Sequence, residues 1–265
     1  MRVNYIVTLI KQNNLILTLA YIDFKEQFAG SYLGVLWAVL RPLIFISVVW
    51  AIFSVGIKGA MINSDVPFVI YLLTGYVPWM FFSSALTGLM SSFTSNKNLV
   101  KRSSFKVGIL PMVKILSSLM LHIIFLCILV VVMLMMGMYP SVYWLQLPFY
   151  IFMVSLFLFG FGVLLGSLRV FTKDVSQFIA AVLQVGFWVT PIFWSVDLVP
   201  EKYQWLLNFN PMVYIVNGYR NTFINKVWFW EDGSFLVSFS LFTVLFLGLG
   251  VLAFKKLKPH FGDVL

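Results

Sequence analysis

Six stretches of this chain run for about twenty residues or more without an acidic side chain, the length an apolar helix needs to cross the hydrocarbon layer of a bilayer. They fall at about residues 33–57, 67–93, 109–136, 145–168, 176–195 and 235–254. Turn-forming clusters punctuate them: Asn63-Ser64-Asp65 after the first, Ser95-Asn96-Lys97-Asn98 after the second, Tyr139-Pro140-Ser141 after the third. Composition agrees. With 61% hydrophobic and only 10% charged residues, against about 45–50% and about 25% in soluble domains, the apolar excess cannot all be buried in one globular core. A water-soluble enzyme and a disordered chain are both excluded. The lone Cys127 sits inside an apolar run and has no partner, which excludes a disulfide scaffold.

The net charge of +9 raises nucleic acid as a partner, but on so hydrophobic a chain the placement of the cations decides. Six spans put both termini on one side, and that side holds Arg2, Lys11, Lys25, Arg41, Lys97, Lys101, Arg102, Lys106, Lys114, Arg169, Lys173, Lys255, Lys256 and Lys258. The other side holds Lys58, Lys202, Arg220 and Lys226. Such an asymmetry makes the first side cytoplasmic, and nucleic acid is not needed to explain the charge. Residues 1–30 carry two apolar pieces, 6–10 and 15–20, interrupted by Lys11-Gln12-Asn13-Asn14. A signal peptide has a continuous apolar middle and a small-residue cleavage site, and neither is present. The segment reads as an amphipathic helix in the cytoplasmic interface, ahead of a transmembrane domain over 31–265. A plain solvated tail is the alternative, against which its apolar content stands. The long loop 196–234 holds Trp205-Leu206-Leu207, a run from Pro211 to Val216, and Val227-Trp228-Phe229-Trp230. Too short to span, these pieces suit re-entrant or interfacial helices on the outer side. The fold expected is all-α: a six-span polytopic membrane protein with an interfacial N-terminal helix and outer gate helices between spans five and six.

Ion-coupled transport usually needs an ionisable group at mid-membrane depth. All nine acids, Asp23, Glu26, Asp65, Asp174, Asp197, Glu201, Glu231, Asp232 and Asp263, lie outside the expected spans. His122 lies inside the third, where a lone histidine reads first as a helix-packing hydrogen bonder. No phosphate-cradling G-x-x-x-x-G-K-[ST] loop and no metal-ligand spacing occurs. Active transport by this chain must therefore draw its energy from a partner.

The run Phe24-Lys25-Glu26-Gln27-Phe28-Ala29-Gly30-Ser31-Tyr32-Leu33-Gly34-Val35-Leu36-Trp37 leading to Arg41-Pro42-Leu43 resembles the approach to the first span in ABC-2-type exporter permeases, membrane subunits of O-antigen, capsule and teichoic acid exporters. Asn98-Leu99-Val100-Lys101-Arg102-Ser103-Ser104-Phe105, Val170-Phe171-Thr172-Lys173-Asp174, Thr190-Pro191-Ile192, Asn210-Pro211-Met212 and Tyr219-Arg220 extend the resemblance in order along nearly the whole chain. It departs from the family at Lys106, where proline is frequent, and at Lys173, where arginine is. The resemblance implies a permease without an ATPase site or cofactor of its own. Two copies would pair with two copies of a P-loop ATPase subunit carrying ATP and Mg, in the inner membrane of a bacterium, and export a lipid-linked polysaccharide, O-antigen first among the candidates.

Residue roles follow as expectations. The cation-dense segment 96–106, with Asn98, Lys101, Arg102, Phe105 and Lys106, is the expected coupling segment against the ATPase; the alternative is an ordinary positive-inside loop. Lys25 and Arg41 are placed at the cytoplasmic mouth, where charge-assisted hydrogen bonds would meet the pyrophosphate of a lipid carrier; the alternative for Arg41 is a snorkelling anchor. Sugar faces stack on aromatics without fixing one orientation. Trp37, Phe45, Phe178, Phe187, Trp188 and Trp194 are therefore the path candidates on spans one and five, with Gln177 and Gln184 marking a polar helix face. Packing or lipid-facing roles are the alternative for each. Gly162 and Gly166 form a small-xxx-small pair expected to pack another helix, and Asp174 suits a helix N-terminus. The competing functions are a membrane-embedded enzyme of lipid or glycan assembly and an ABC-2 exporter of a drug or simple lipid.

Overall fold

The computed structural model describes residues 13–52, 66–102, 105–231 and 233–265. Among these, regular structure is entirely helical: α1 (Asn13–Glu26), α2 (Leu36–Ala51), α3 (Phe68–Ser95), α4 (Leu110–Met135), α5 (Leu147–Arg169), α6 (Asp174–Val189), α7 (Pro211–Arg220) and α8 (Gly233–Leu257). Short single-turn and 3-10 pieces join them. With their flanking turns, α3, α4, α5 and α8 are each long and apolar enough to cross a membrane, whereas α2 and α6 are shorter apolar helices. The chain is a polytopic helical membrane protein. Residues 53–57 of the first expected stretch, the Asn63-Ser64-Asp65 turn, residues 1–12 of the interfacial segment, Ser103, Ser104 and Asp232 lie outside the described residues.

Several helix starts are written in the sequence. α4, α5 and α7 each carry a proline in the first turn, Pro111, Pro148 and Pro211, where the missing N–H costs no intrahelical bond. The turn between α1 and α2 is built on Gly30 and Gly34, at φ 77° and 51°, a left-handed conformation that a Cβ disfavours.

α3 is the central helix. Of its apolar window 78% is buried, against 17% for α8, so protein surrounds α3 while α8 looks outward. α8 runs along α5 through Gly160 and Gly250: a Cβ on Gly250 would collide with the Gly160 carbonyl, and one on Gly160 with the backbone of Leu247. Gly162 and Gly166 bring α5 equally close to α3 at Leu89. Small residues allow this approach, and the dispersion contacts it creates replace the hydrophobic drive that lipid removes. α1 lies on the start of α4, where Ile16 and Ala20 meet Ile109 and Val113. The Lys114 ammonium pairs with the Asp23 carboxylate, and Gln27 Nε2 donates to Ser117 Oγ at 2.9 Å. Lys114, counted on the cytoplasmic side and inside the third expected stretch, sits within α4 and finds its acid on α1.

Two expected boundaries move. α6 ends at Val189, short of the 195 expected, because Thr190 precedes Pro191 and adopts φ −74°, ψ 135°. Val227-Trp228-Phe229-Trp230 is not helical. Its rings fix it instead: Trp228 and Trp230 stack at 5.0 Å with planes 6° apart, Phe229 stacks on Phe149 at 4.0 Å, and Trp228 N donates to Glu231 Oε1. Of the other pieces, Trp205-Leu206-Leu207 opens a 3-10 turn and Pro211 opens α7.

Candidate functional site

α7 locks three distant motifs together. The Asn210 side chain accepts from Met212 N at 3.0 Å, capping α7, while its Nδ2 donates to Thr190 Oγ1 at 2.9 Å. At the other end of α7, Arg220 is 4% exposed. Its Nη2 donates to the Ile192 carbonyl at 2.9 Å, and its guanidinium lies 3.7 Å from the centre of the Tyr71 ring. Tyr71 OH in turn donates to the Trp194 carbonyl at 2.9 Å. Tyr219 OH and His122 Nε2 share a 2.7 Å hydrogen bond, the packing role read for that histidine. Gly218 rests against the Tyr150 ring with no room for a Cβ. The sequence tally placed Arg220 among the outer loop cations. The structure corrects this: a carbonyl and an aromatic face take the place of water around a buried guanidinium.

The outward faces of the helices differ in chemistry. α8 exposes Val237, Leu241, Val244, Leu245, Leu249 and Leu252, a surface suited to lipid tails. α2 buries only Ala38, Pro42 and Ile46, a single stripe at spacing four, and leaves Arg41 and Ser47 exposed. α6 buries only Ile179 and exposes Gln177, Gln184 and Trp188 on one face. Polar groups on an apolar helix at this length are costly against lipid. The faces of α2 and α6 are therefore built to meet something else.

These two helices meet at an aromatic cluster. Phe45 stacks on Tyr76 at 5.3 Å and touches Phe187 at 6.0 Å; Phe187 also meets Trp79, Trp188 and Phe193. Trp194 Nε1 donates to the Trp188 carbonyl at 3.1 Å, folding over the end of α6. Of the path candidates, Phe45, Phe187, Trp188 and Trp194 are thus brought together. Trp37 stands apart with Arg41, whose guanidinium lies 5.4 Å from its ring. Gln184 faces outward, and Phe178, largely exposed, lies at the edge of an apolar cavity of about 600 Å³ that Phe157, Phe242 and Phe246 also line. Tyr76, Trp79 and Phe193 join the cluster although the sequence reading did not single them out; their signal was only position in an apolar run.

Depth follows from helix rise. Tyr76 precedes Ser95, the end of α3, by nineteen residues, about 28 Å at 1.5 Å per residue. Arg41 is one helical turn before Phe45, so its Cα lies about 22 Å from that end and about 8 Å from the start of α2 at Leu36. It is exposed and faces no carboxylate among the described residues. Lys25 is exposed at the end of α1, 4.5 Å over the Tyr21 ring.

The segment expected to couple has two faces. After α3 a single helical turn, Lys97–Val100, leads to Lys101 and Arg102. Leu99, Val100 and Phe105 pack on a small core of Phe93, Val107, Leu110, Val170 and Phe261. Lys97, Asn98, Lys101, Arg102 and Lys106 stay exposed. The C-terminal Phe261, which the sequence reading did not use, is 1% exposed and packs against Phe93 from below.

Comparison with known proteins places this architecture. Residues 14–224 match the family described as ABC-2 type transporter. The chain is 30% identical over 248 residues, 92% of each chain, to an O-antigen export system permease protein RfbA of Klebsiella pneumoniae. It is 21% identical, over 96% of each chain, to a protein of that name from Myxococcus xanthus. It is also 21% identical to the polysialic acid transport protein KpsM of Escherichia coli, over 88% of this chain and 89% of that one. A family match across most of the chain, in a bundle whose motifs converge on one buried helix, has a plain consequence: this chain belongs to the ABC-2 type transporter family.

Proposed function

We propose that this chain is the membrane subunit of an ATP-driven exporter that moves a lipid-linked polysaccharide, O-antigen in the first instance, outward across the bacterial cytoplasmic membrane. Two copies, each crossing six times with both termini inside, work with two copies of a P-loop ATPase. That partner binds ATP and Mg and supplies the hydrolysis; this chain is a transport subunit. The names of its relatives, O-antigen export and polysialic acid transport proteins, support a polysaccharide cargo.

The observation that carries the reading is Arg41. An exposed guanidinium in the second turn of an apolar helix, facing no carboxylate among the described residues, requires an anion or an aqueous path. A pyrophosphate-linked carrier provides the first and a translocation path the second. Above Arg41 the Phe45–Tyr76–Phe187 cluster offers ring faces on which sugars slide, and the Gln184 and Trp188 face of α6 lines the same conduit. Lys25 gathers the anionic carrier at the mouth. Asn98, Lys101, Arg102 and Lys106 form the docking face for the ATPase, with Phe105 anchoring it from within. Transport tests this in cells lacking the gene. Arg41→Ala should slow export about tenfold or more, the worth of one charged hydrogen bond or better, with lipid-linked glycan accumulating on the inner face. Arg41→Lys should recover only part of it, because the planar fork is lost. Normal export by Arg41→Ala would overturn the assignment.

A further inference from the structure

Beneath Arg41 the bundle holds a second polar feature. A cavity of about 450 Å³ lies between α1, α3 and α4, lined by Asp23, Gln27, Ser83, Thr87, Ser91 and Lys114 among others. Its volume is in the range of small-molecule sites. Ser83 and Thr87 follow Tyr76 by seven and eleven residues, which returns them to the same face of α3. The cavity therefore continues the line of α2 toward the Ser95 end. Ser91 and Ser83 lie about 6 and 18 Å from that end, just short of Arg41.

The hydrogen-bond inventory of the wall is lopsided. Ser83 donates to the Met80 carbonyl, Ser84 to Phe81, Thr87 to Ser83 and Ser91 to Gly88. Each hydroxyl proton of α3 is spent on its own helix, and what faces the cavity is oxygen lone pairs. Gln27 Nε2 is engaged with Ser117 and Lys114 with Asp23 Oδ1. Asp23 Oδ2 is buried and accepts no hydrogen bond among the described residues. The acceptor oxygens of α3 and the Asp23 Oδ2 that takes no hydrogen bond disfavour a phosphate, whose oxygens need donors, while the remaining N–H groups of Lys114 and Gln27 suit a hydroxyl oxygen. A second cation is poorly served, since Lys114 already neutralises Asp23. A neutral ligand rich in hydroxyl protons satisfies both conditions.

Resting on the export reading above, we infer that this cavity seats a sugar unit of the lipid-linked substrate, so that the carrier's pyrophosphate meets Arg41 while its first sugar meets the α3 hydroxyls and Asp23. The geometry makes the cavity a reader of the glycan end, separate from the anion contact.

Cysteine protection tests it in inside-out vesicles holding the complete exporter with its ATPase. Thr87→Cys and, independently, Ser91→Cys are placed in a Cys127→Ala chain and labelled with a membrane-impermeant maleimide. Three probes are compared: a short-chain polyprenyl diphosphate bearing one hexose, the same diphosphate without sugar, and phosphatidylethanolamine. The hexose-bearing probe should slow labelling about fivefold when present at several times its Kd, and the other two should not. Equal protection by the sugar-free diphosphate, protection by phosphatidylethanolamine alone, or none from any probe would each overturn the inference. Export of the native glycan is followed in parallel in vesicles holding the Cys127→Ala chain with Thr87 and Ser91 intact. Export there with no hexose protection in the cysteine variants rejects this inference alone; ATPase turnover there without movement of glycan rejects the functional reading itself.

Discussion

Arg220 is the residue whose surroundings say most about how the Tyr71 end of the bundle is held. A guanidinium that is 4% exposed, stacked 3.7 Å from Tyr71 and bonded to the Ile192 carbonyl, ties α3, α7 and the segment after α6 at one point. A lysine keeps the charge but loses the flat face and the directed fork. Arg220→Lys should therefore destabilise the protein by about 2 kcal/mol, the scale of a desolvated cation–π contact plus part of a charged hydrogen bond, read as a lower unfolding midpoint in detergent. Combining it with Tyr71→Leu should give less than the sum of the two single losses; strict additivity would show that the pair does not act as a unit. None of this was legible in the sequence. Positive-inside counting treats every cation between spans as a loop residue, and nothing in Tyr219-Arg220 distinguishes a guanidinium in water from one folded onto a tyrosine. Lys114 reads as lying inside the third stretch, and a lysine there asks for an acid, but nothing in the sequence names Asp23 as that acid. His122 could be read, because a lone histidine in a span has few ways to be satisfied.

At the scale of elements, legibility followed length. α3, α4, α5 and α8 were visible as long apolar runs whose only stable form in lipid is a helix. α6 was placed but overrun, since hydropathy continues through Ile192 and Phe193 while Pro191 ends the helix. The Val227–Trp230 turn was misjudged because ring stacking, not periodicity, shapes it. The segment after α3 is the element with the clearest function to test. Its apolar side chains Leu99, Val100 and Phe105 hold it to the bundle, which leaves Lys101 and Arg102 free to meet a partner without carrying the fold. Replacing both with glutamate reverses two exposed charges and touches no packed contact. Insertion and thermal stability should stay within about 0.5 kcal/mol of the parent. Docking of the ATPase and export should fall about tenfold or more, as for opposed charges at an interface. Pull-down of the ATPase subunit from membranes, beside the export assay, separates the two effects. Undiminished capture would return the segment to the rank of an ordinary positive-inside loop.

The whole molecule is unevenly covered, and the unevenness has a direction. The exposed face of α8 is made of valines and leucines, whereas those of α2 and α6 mix apolar side chains such as Ile44, Val48, Val182 and Val185 with Arg41, Ser47, Gln177 and Gln184. Lipid accounts for the first surface and leaves the polar groups of the second unmet. If the second surface faces a conduit, a single chain leaves that conduit open on one side, and the economical closure is another copy presenting the same two helices across a two-fold axis. Single cysteines in a Cys127→Ala chain decide between these surfaces. Val48→Cys on α2 and Gln184→Cys on α6 should yield dimers with a short bifunctional maleimide in native membranes, while Leu245→Cys on α8 should stay monomeric. Crosslinking that rises with protein density at all three sites alike would signal random encounter. Dimers formed through Leu245→Cys alone would put the contact on the leucine face and leave the polar faces of α2 and α6 without the partner that their chemistry demands.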